Sequence, residues 1–149
     1  MSLLTQKTLS KKFSVSGIGV HTGAEVNMNV LPASANTGIV FKRIDLKNNN
    51  LIIPNYNNVM DATLCTTVSN QYDVKVSTIE HLMGALFGLG IDNLLIEIDN
   101  EEVPILDGSA KEFIERILSS EVITSNKPIK IIKINKFVEF RDGERFISI

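Results

Sequence analysis

Glu80 and His81 are adjacent in the sequence VSTIEHL and combine two side chains that are common in hydrolytic sites. A neutral imidazole can ligate a metal ion, and a neighbouring carboxylate can accept a proton from water. Ser77 and Glu80 also fit a capping box, in which the serine begins a helix and the glutamate only satisfies its first N–H groups. The metalloprotease spacings His-Glu-x-x-His and His-x-x-Glu-His are absent. From the residues alone, a metal site and a plain helix cap both stay open.

Three other positions have side chains suited to a site. His21 lies in the glycine-rich sequence GIGVHTG, where it could project toward a ligand or simply occupy a hairpin turn. Asp107, in PILDGS, could orient a histidine ligand, bind a sugar hydroxyl or form the turn that leads into a helix. Cys65 is the single cysteine. No residue near it in sequence would activate its thiol, which favours a small buried side chain over a nucleophile.

Hydrophobic periodicity predicts the elements that must position these residues. Helices are predicted over residues 77–88 and from residue 109, each after a capping-box pattern, and a hairpin is predicted around Asp142 and Gly143. Strands are predicted at residues 7–20, 25–31, 38–43, 63–69, 74–76, 91–99 and 129–134. This order predicts an α+β fold, a two-layer sandwich of a mostly antiparallel sheet with two helices on one face.

Composition limits the class of protein and its partners. The 149 residues are 44% hydrophobic and 21% charged, as in a folded globular domain. The net charge of −2 argues against a nucleic-acid partner, because tracking phosphates normally needs a basic excess. A single cysteine excludes an internal disulfide. The start lacks a signal-peptide pattern and the apolar residues 82–91 are too few to span a bilayer, so a cytoplasmic protein without a transmembrane segment is predicted.

Six motifs in a fixed order carry a resemblance to a known family. They are GIGVHTG at 17–23, PASANTGI at 32–39, ATLCT at 62–66, VSTIEHL at 76–82, GLGIDN at 88–93 and PILDGS at 104–109. Together they resemble the zinc-dependent UDP-3-O-acyl-N-acetylglucosamine deacetylases, hydrolases of lipid A biosynthesis. The resemblance extends from about residue 7 to about residue 142.

The resemblance implies a role for each candidate residue. His81 matches a zinc (Zn2+) ligand, and Glu80 matches the general base that activates water for attack on the acetamide of the UDP-linked acylated amino sugar. Thr63, Leu64 and Cys65 match residues that border the substrate. The positions that match His21 and Asp107 lie near the site.

The sequence departs from the family pattern after its first half. The family takes two further zinc ligands from a His-Lys-x-x-Asp motif in a second domain, and no histidine follows His81 here. The resemblance therefore implies an N-terminal domain at residues 1–126 and the first strands of a second domain at 127–149, the rest of which is missing. Residues 1–149 alone are expected to lack catalytic zinc and deacetylase activity. Self-association through the open domain face or through the truncated last strand is expected.

Two other functions compete with the enzyme. A binding or assembly module could keep this fold without the reaction, although the presence of both Glu80 and His81 argues against it. An RNA-binding domain is suggested only by analogy with α+β folds in ribosomal proteins, and the net charge disfavours it. A downstream His-Lys-x-x-Asp motif would favour the enzyme.

Overall fold

The computed structural model describes residues 4–149, and the first three residues, on which part of the signal-peptide prediction rests, lie outside them. Two helices are present, α1 (Glu80–Leu89) and α2 (Lys111–Ser119). The strands, numbered along the chain, are β1 (Thr5–Leu9), β2 (Phe13–Ile18), β3 (Glu25–Pro32), β4 (Ile39–Arg43), β5 (Leu51–Ile52), β6 (Val59–Asp61), β7 (Thr67–Ser69), β8 (Lys75–Val76), β9 (Leu94–Ile98), β10 (Val122–Pro128), β11 (Glu139–Asp142) and β12 (Arg145–Ser148). A 3-10 turn, Tyr56–Asn58, precedes β6.

A five-stranded sheet in the order β2-β3-β9-β4-β5 forms the centre of the fold. Strands β4 and β9 are parallel, and the other neighbours in this sheet are antiparallel. The period-two pattern of β3 decides which face is inside, because Val26, Met28 and Val30 are at most 1% exposed. On the opposite face Ser16 donates a hydrogen bond to Asn27. The sheet therefore has one apolar face and one polar face.

Both helices cover the apolar face of this sheet. The buried residues of α1 (Leu82, Ala85 and Leu86) and of α2 (Phe113 and Ile117) belong to one core with the inward side chains of the sheet. Burying a helix stripe against a sheet face is the arrangement that removes most apolar surface from water in such a chain. The predicted α+β class, with a mostly antiparallel sheet and helices on one face, is confirmed. No helix among residues 4–149 is long and apolar enough to cross a membrane.

The strand predicted at residues 7–20 is wrong as a single element. The chain leaves β1 at Ser10, whose N–H donates to Glu121 O at 2.7 Å, and enters the central sheet only at β2. Strand β1 instead pairs antiparallel with β10, with Leu9 opposite Val122. A partner more than a hundred residues away along the chain therefore divides what looks like one extended run.

Two predictions near the C-terminal end also need correction. Residues 129–134 form no strand, and the strand of this region is β10, which ends at Pro128. The predicted hairpin is present as β11 and β12, but Asp142 pairs with Arg145. Its turn is therefore Gly143 and Glu144, one residue later than predicted. Residues 131–149 are exposed throughout, so burial does not fix their conformation.

Candidate functional site

The start of α1 is defined by tertiary contacts and not by a capping box. The residue before the helix is Ile79, which makes no side-chain capping bond. The Ser77 hydroxyl donates to the carbonyl of Glu101 at 3.0 Å, and the Ser77 N–H donates to the same carbonyl at 2.9 Å. The predicted capping box at Ser77 is wrong, because its serine is paired with the segment that follows β9.

Glu80, the first residue of α1, uses its carboxylate outside the helix. Glu80 Oε2 accepts a hydrogen bond from the Thr66 N–H at 3.0 Å, and the side chain is half-buried. This contact brings Glu80 against the segment that contains Thr63, Leu64 and Cys65. Glu80 therefore makes a tertiary contact with the segment before β7 and takes no part in a capping box.

His81 lies next to Glu80 in the first turn of α1. It is half-buried, and its imidazole ring hydrogen-bonds to no other residue between 4 and 149. Imidazole nitrogens without protein partners are free to bind a ligand or a metal ion. The turn thus presents an imidazole and a carboxylate on consecutive residues.

Residues 63–65 form a bend, so the predicted strand at 63–69 is wrong in its first half. Asp61 causes the bend, because its Oδ1 accepts from the Thr63 N–H at 2.9 Å and from the Thr63 hydroxyl at 2.7 Å. The hydroxyl bond and the N–H bond also hold the pKa of Asp61 below its ordinary value. Leu64 is 82% exposed at the tip, whereas Cys65 is half-buried with its Sγ 3.7 Å from Thr67 Oγ1. The bend places an apolar tip and a thiol close to the Glu80 contact.

His21 is brought toward α1 by a residue that the sequence did not single out, Glu102. The imidazole of His21 is exposed, but its backbone N–H donates to Glu102 Oε1 at 3.0 Å. Glu102 Oε2 accepts from both the N–H and the hydroxyl of Thr22, each at 2.8 Å. On the other side Thr78 Oγ1 donates to Glu102 Oε1 at 2.9 Å. One carboxylate therefore joins the His21 turn to the residue two before Glu80.

Glu102 is fully buried yet remains charged because of these donors. Burial by itself would raise the pKa of its carboxyl, but the hydrogen bonds from His21, Thr22 and Thr78 outweigh it and lower the pKa. Gly19 permits this packing, because a Cβ there would overlap Glu102 Oε2 and lie 2.8 Å from Glu102 Cδ. The sequence around Glu102, NEEVPI, has no motif that would reveal such a residue. Gly19, the second glycine of GIGVHTG, is the one indirect signal in the sequence that another side chain packs closely against this turn.

The Asp107 carboxylate does not hydrogen-bond to Glu80, His81, His21 or Glu102. Its exposed carboxylate accepts from the Ser109 N–H and hydroxyl, both at 2.9 Å on Oδ1, and these two bonds lower its pKa. The Ser109 hydroxyl in turn accepts from the Lys111 N–H at 3.1 Å, at the start of α2. The serine therefore helps to cap α2, while Ala110 occupies the N-cap position and makes no side-chain bond. The contacts of Asp107 are those of the turn that leads into the helix.

The described residues do not form a complete metal site. Between residues 4 and 149, no group of three or more His, Cys, Asp or Glu side chains is arranged to hold a metal ion. A groove of about 480 Å³, lined by residues such as Asn50 and Tyr72, contains none of the candidate residues. Glu80 and His81, both half-buried, lie outside this groove.

Comparison with known proteins gives a consistent match over nearly the whole chain. The sequence model of the family described as UDP-3-O-acyl N-acetylglycosamine deacetylase matches residues 6–149. Similar curated proteins carry the name UDP-3-O-acyl-N-acetylglucosamine deacetylase. One from Pseudoalteromonas atlantica is 42% identical over 147 residues, 99% of this chain and 48% of that protein. One from Cellvibrio japonicus is 44% identical over 146 residues, 98% of this chain and 48% of that protein. This chain thus spans about half the length of the curated relatives it matches.

Proposed function

Because the chain belongs to the UDP-3-O-acyl-N-acetylglycosamine deacetylase family, we propose that the protein containing it removes the N-acetyl group of UDP-3-O-acyl-N-acetylglucosamine. The reaction is hydrolysis of an amide with release of acetate, in lipid A biosynthesis, and the proposed location is the cytoplasm. The observation that carries the proposal is the first turn of α1, where Glu80 is bonded to Thr66 and leaves the helix uncapped. The capping box that would have given Glu80 a purely local role at the helix end is absent.

Glu80 is the proposed general base. Oε2 is fixed by the Thr66 N–H, so the carboxylate is oriented while Oε1 accepts no hydrogen bond from the described residues. A half-buried carboxylate held in this way can take a proton from water as the water attacks the acetamide carbonyl. Fixing one oxygen limits the rotation of the other, which favours proton transfer from one direction.

His81 is the proposed zinc ligand. Its unbonded imidazole suits zinc, but a catalytic zinc site takes about three protein ligands and residues 4–149 supply no such cluster. The remaining ligands would therefore come from the rest of the protein, and residues 1–149 alone are expected to lack catalytic zinc and turnover. Zinc bound there would supply Lewis acidity toward water and the carbonyl oxygen.

The proposed substrate contacts surround the same turn. The bend at residues 63–65, with Leu64 exposed at its tip, would border the UDP-linked acylated sugar. His21 would reach the site from its own turn, whereas a role for Asp107 would require the Ser109 bonds to open. These assignments draw support from the bond between the Thr66 N–H and Glu80, which holds the bend against the first turn of α1.

The domain division stays a proposal. Residues 1–126 would form the first domain and 127–149 the start of the second, with β10 running across this boundary from Val122 to Pro128. The second domain would cover the open face near Glu80. Phe87 on α1, which is 89% exposed, is an apolar side chain that such a domain or a second copy of the chain would bury.

Paired substitutions in the full-length protein test the proposal. Glu80→Ala is expected to retain zinc while deacetylation falls about 10²–10⁴-fold, the usual contribution of a general base. His81→Ala is expected to lose zinc and activity together, because it removes a metal ligand. Acetate release from the UDP-linked substrate and metal content are the measurements.

The matched control is Glu112→Ala, which removes a glutamate from the first turn of the other helix. It should leave both measurements unchanged. Near-normal turnover in Glu80→Ala, or full zinc in an inactive His81→Ala, would refute the assigned roles. Wild-type protein that binds the substrate without releasing acetate would favour a binding module.

A further inference from the structure

We propose that Glu102 is a positioning residue, which sets the start of α1 and thereby the placement of Glu80 and His81. The inference rests on the proposed function, since it concerns the same turn. Glu102 hydrogen-bonds to neither Glu80 nor His81 and acts on them through Thr78. The observation behind the proposal is that one buried carboxylate accepts hydrogen bonds from two separate parts of the chain, the His21 turn and Thr78.

The bonding of Glu102 requires a carboxylate at this position. Each oxygen accepts one backbone N–H and one threonine hydroxyl: Oε1 accepts from His21 N and Thr78 Oγ1, and Oε2 accepts from Thr22 N and Thr22 Oγ1. No salt bridge among residues 4–149 involves Glu102, so hydrogen bonds alone stabilise the buried charge. Hydroxyl groups can rotate to donate or accept, but the two backbone N–H groups can only donate.

Thr78 passes this constraint on to the helix. Its φ is 55°, a left-handed conformation that is rare for a β-branched residue, and its side chain is 2% exposed. The bond to Glu102 fixes the hydroxyl in that conformation, two residues before Glu80. Because Ser77 is also paired with the segment around Glu102, the chain direction into α1 is set from one side. A change at Glu102 should therefore move the first turn of α1.

A second buried polar network provides the comparison for a purely structural role. Asn93, 2% exposed, donates to Gln6 at 3.0 Å and accepts from the Gly38 N–H at 3.0 Å. These residues belong to β1, the segment before β4 and the segment before β9, none of which carries a candidate site residue. Disturbing this network should cost stability without moving α1.

The test uses Glu102→Gln in the full-length protein. Its control is Asn93→Asp, which makes the reverse exchange of an amide for a carboxylate in the other network. In Glu102→Gln the new NH₂ group must face either the His21 N–H or the Thr22 N–H, so two donors oppose each other whichever way the amide turns. We expect kcat to fall about 10- to 100-fold with KM within about threefold, since a misplaced catalytic group costs rate rather than binding. Asn93→Asp should lower the thermal midpoint but keep kcat.

Thr78 variants test the same inference independently if Glu102→Gln does not fold. Thr78→Val keeps the shape and loses the hydroxyl, and should reproduce the loss of kcat, whereas Thr78→Ser keeps the hydroxyl and should restore it. Combining Thr78→Val with Glu102→Gln should cost little more than either alone, because the two changes break one network. Equal kcat in Thr78→Val and wild type would overturn the inference.

Hydrogen exchange separates this inference from the proposed function. In Glu102→Gln the Thr66 N–H, which is bonded to Glu80, should exchange faster than in Asn93→Asp. If the wild-type protein releases no acetate, the proposed function fails, and faster exchange at Thr66 would still support the positioning role. Unchanged exchange at Thr66, or wild-type kcat in Glu102→Gln, would refute it.

Discussion

The contact between Gly19 and Glu102 predicts that a single added methyl group will destabilise the fold strongly. In Gly19→Ala the new Cβ would overlap Glu102 Oε2 and Thr22 Oγ1, and it would lie 2.8 Å from Glu102 Cδ. Gly19 does not have a positive φ, so backbone strain does not contribute. Glu102 is 0% exposed and its carboxylate accepts four hydrogen bonds. Any shift of this side chain away from the new methyl group would therefore stretch or break some of these bonds.

The size of the effect follows from the bonds that must stretch. Carbon atoms pack best at about 3.5–4.0 Å, so the carboxylate must retreat by roughly 1 Å, which breaks hydrogen bonds of ordinary length. Hydrogen bonds to a charged group are worth about 1.5–3 kcal/mol each, so losing the two on Oε2 costs about 3–6 kcal/mol. Because domains are typically stable by only about 5–15 kcal/mol, this loss is a large share of the total.

Urea unfolding of the 149-residue chain measures the effect, with Gly84→Ala as the matched control. Gly84 lies within α1, and a Cβ there meets nothing within 4 Å. Gly84→Ala should therefore raise the free energy of unfolding by about 0.5–1 kcal/mol through helix propensity. A loss below about 1 kcal/mol in Gly19→Ala would show that Glu102 is not held as described, and the reasoning from its contacts would fail.

Two further predictions concern Cys65 and acid stability. Cys65→Ser should leave turnover of the full-length protein within about twofold, because the proposed hydrolysis needs no covalent intermediate and, among residues 4–149, the thiol hydrogen-bonds only to the Thr67 hydroxyl. Collapse of turnover in folded, zinc-loaded protein would revive the nucleophile hypothesis. Glu102 stabilises the fold fully above the ordinary glutamate pKa of 4.5, and this stability is lost as the pH falls through its lower folded-state pKa, so urea midpoints should decline on that acidic side. Over the same pH range the urea midpoint of Glu102→Gln should decline less than that of the wild type. Parallel curves for the two proteins would contradict the assignment of this pH dependence to Glu102.

The sequence predicted those elements whose signals are local. Strand β3 alternates as expected, α1 ends at Gly90 with φ 66°, and the β11–β12 hairpin forms beside Gly143. In each case the deciding interaction lies within a few residues along the chain, where periodicity and turn chemistry apply. For Glu80 and His81 the local pattern left a helix cap and a metal site both open, and only the order of the six motifs favoured the site.

Two of the features that the sequence missed depend on distant partners. Nothing in NEEVPI reveals that Glu102 will meet the turn of His21, some eighty residues earlier. The capping-box pattern at Ser77 failed because a competing partner, the carbonyl of Glu101, takes its hydroxyl. Long-range hydrogen bonds outweighed local preference at both of these positions. Residues 63–65 differ, because they are bent out of the predicted strand by Asp61, a local partner only two residues before Thr63.

The pairing of β1 with β10 also determines when this fold can close during synthesis. Leu9 pairs with Val122, so 113 residues must be added after Leu9 before its partner exists. At about 5–20 residues per second, this takes roughly 6–23 seconds on the ribosome. Throughout that interval β1 has an unpaired edge and Leu9, fully buried in the finished domain, has no β10 to cover it. Until β10 has been synthesised, the edge of β1 that it will cover remains available for pairing with another strand.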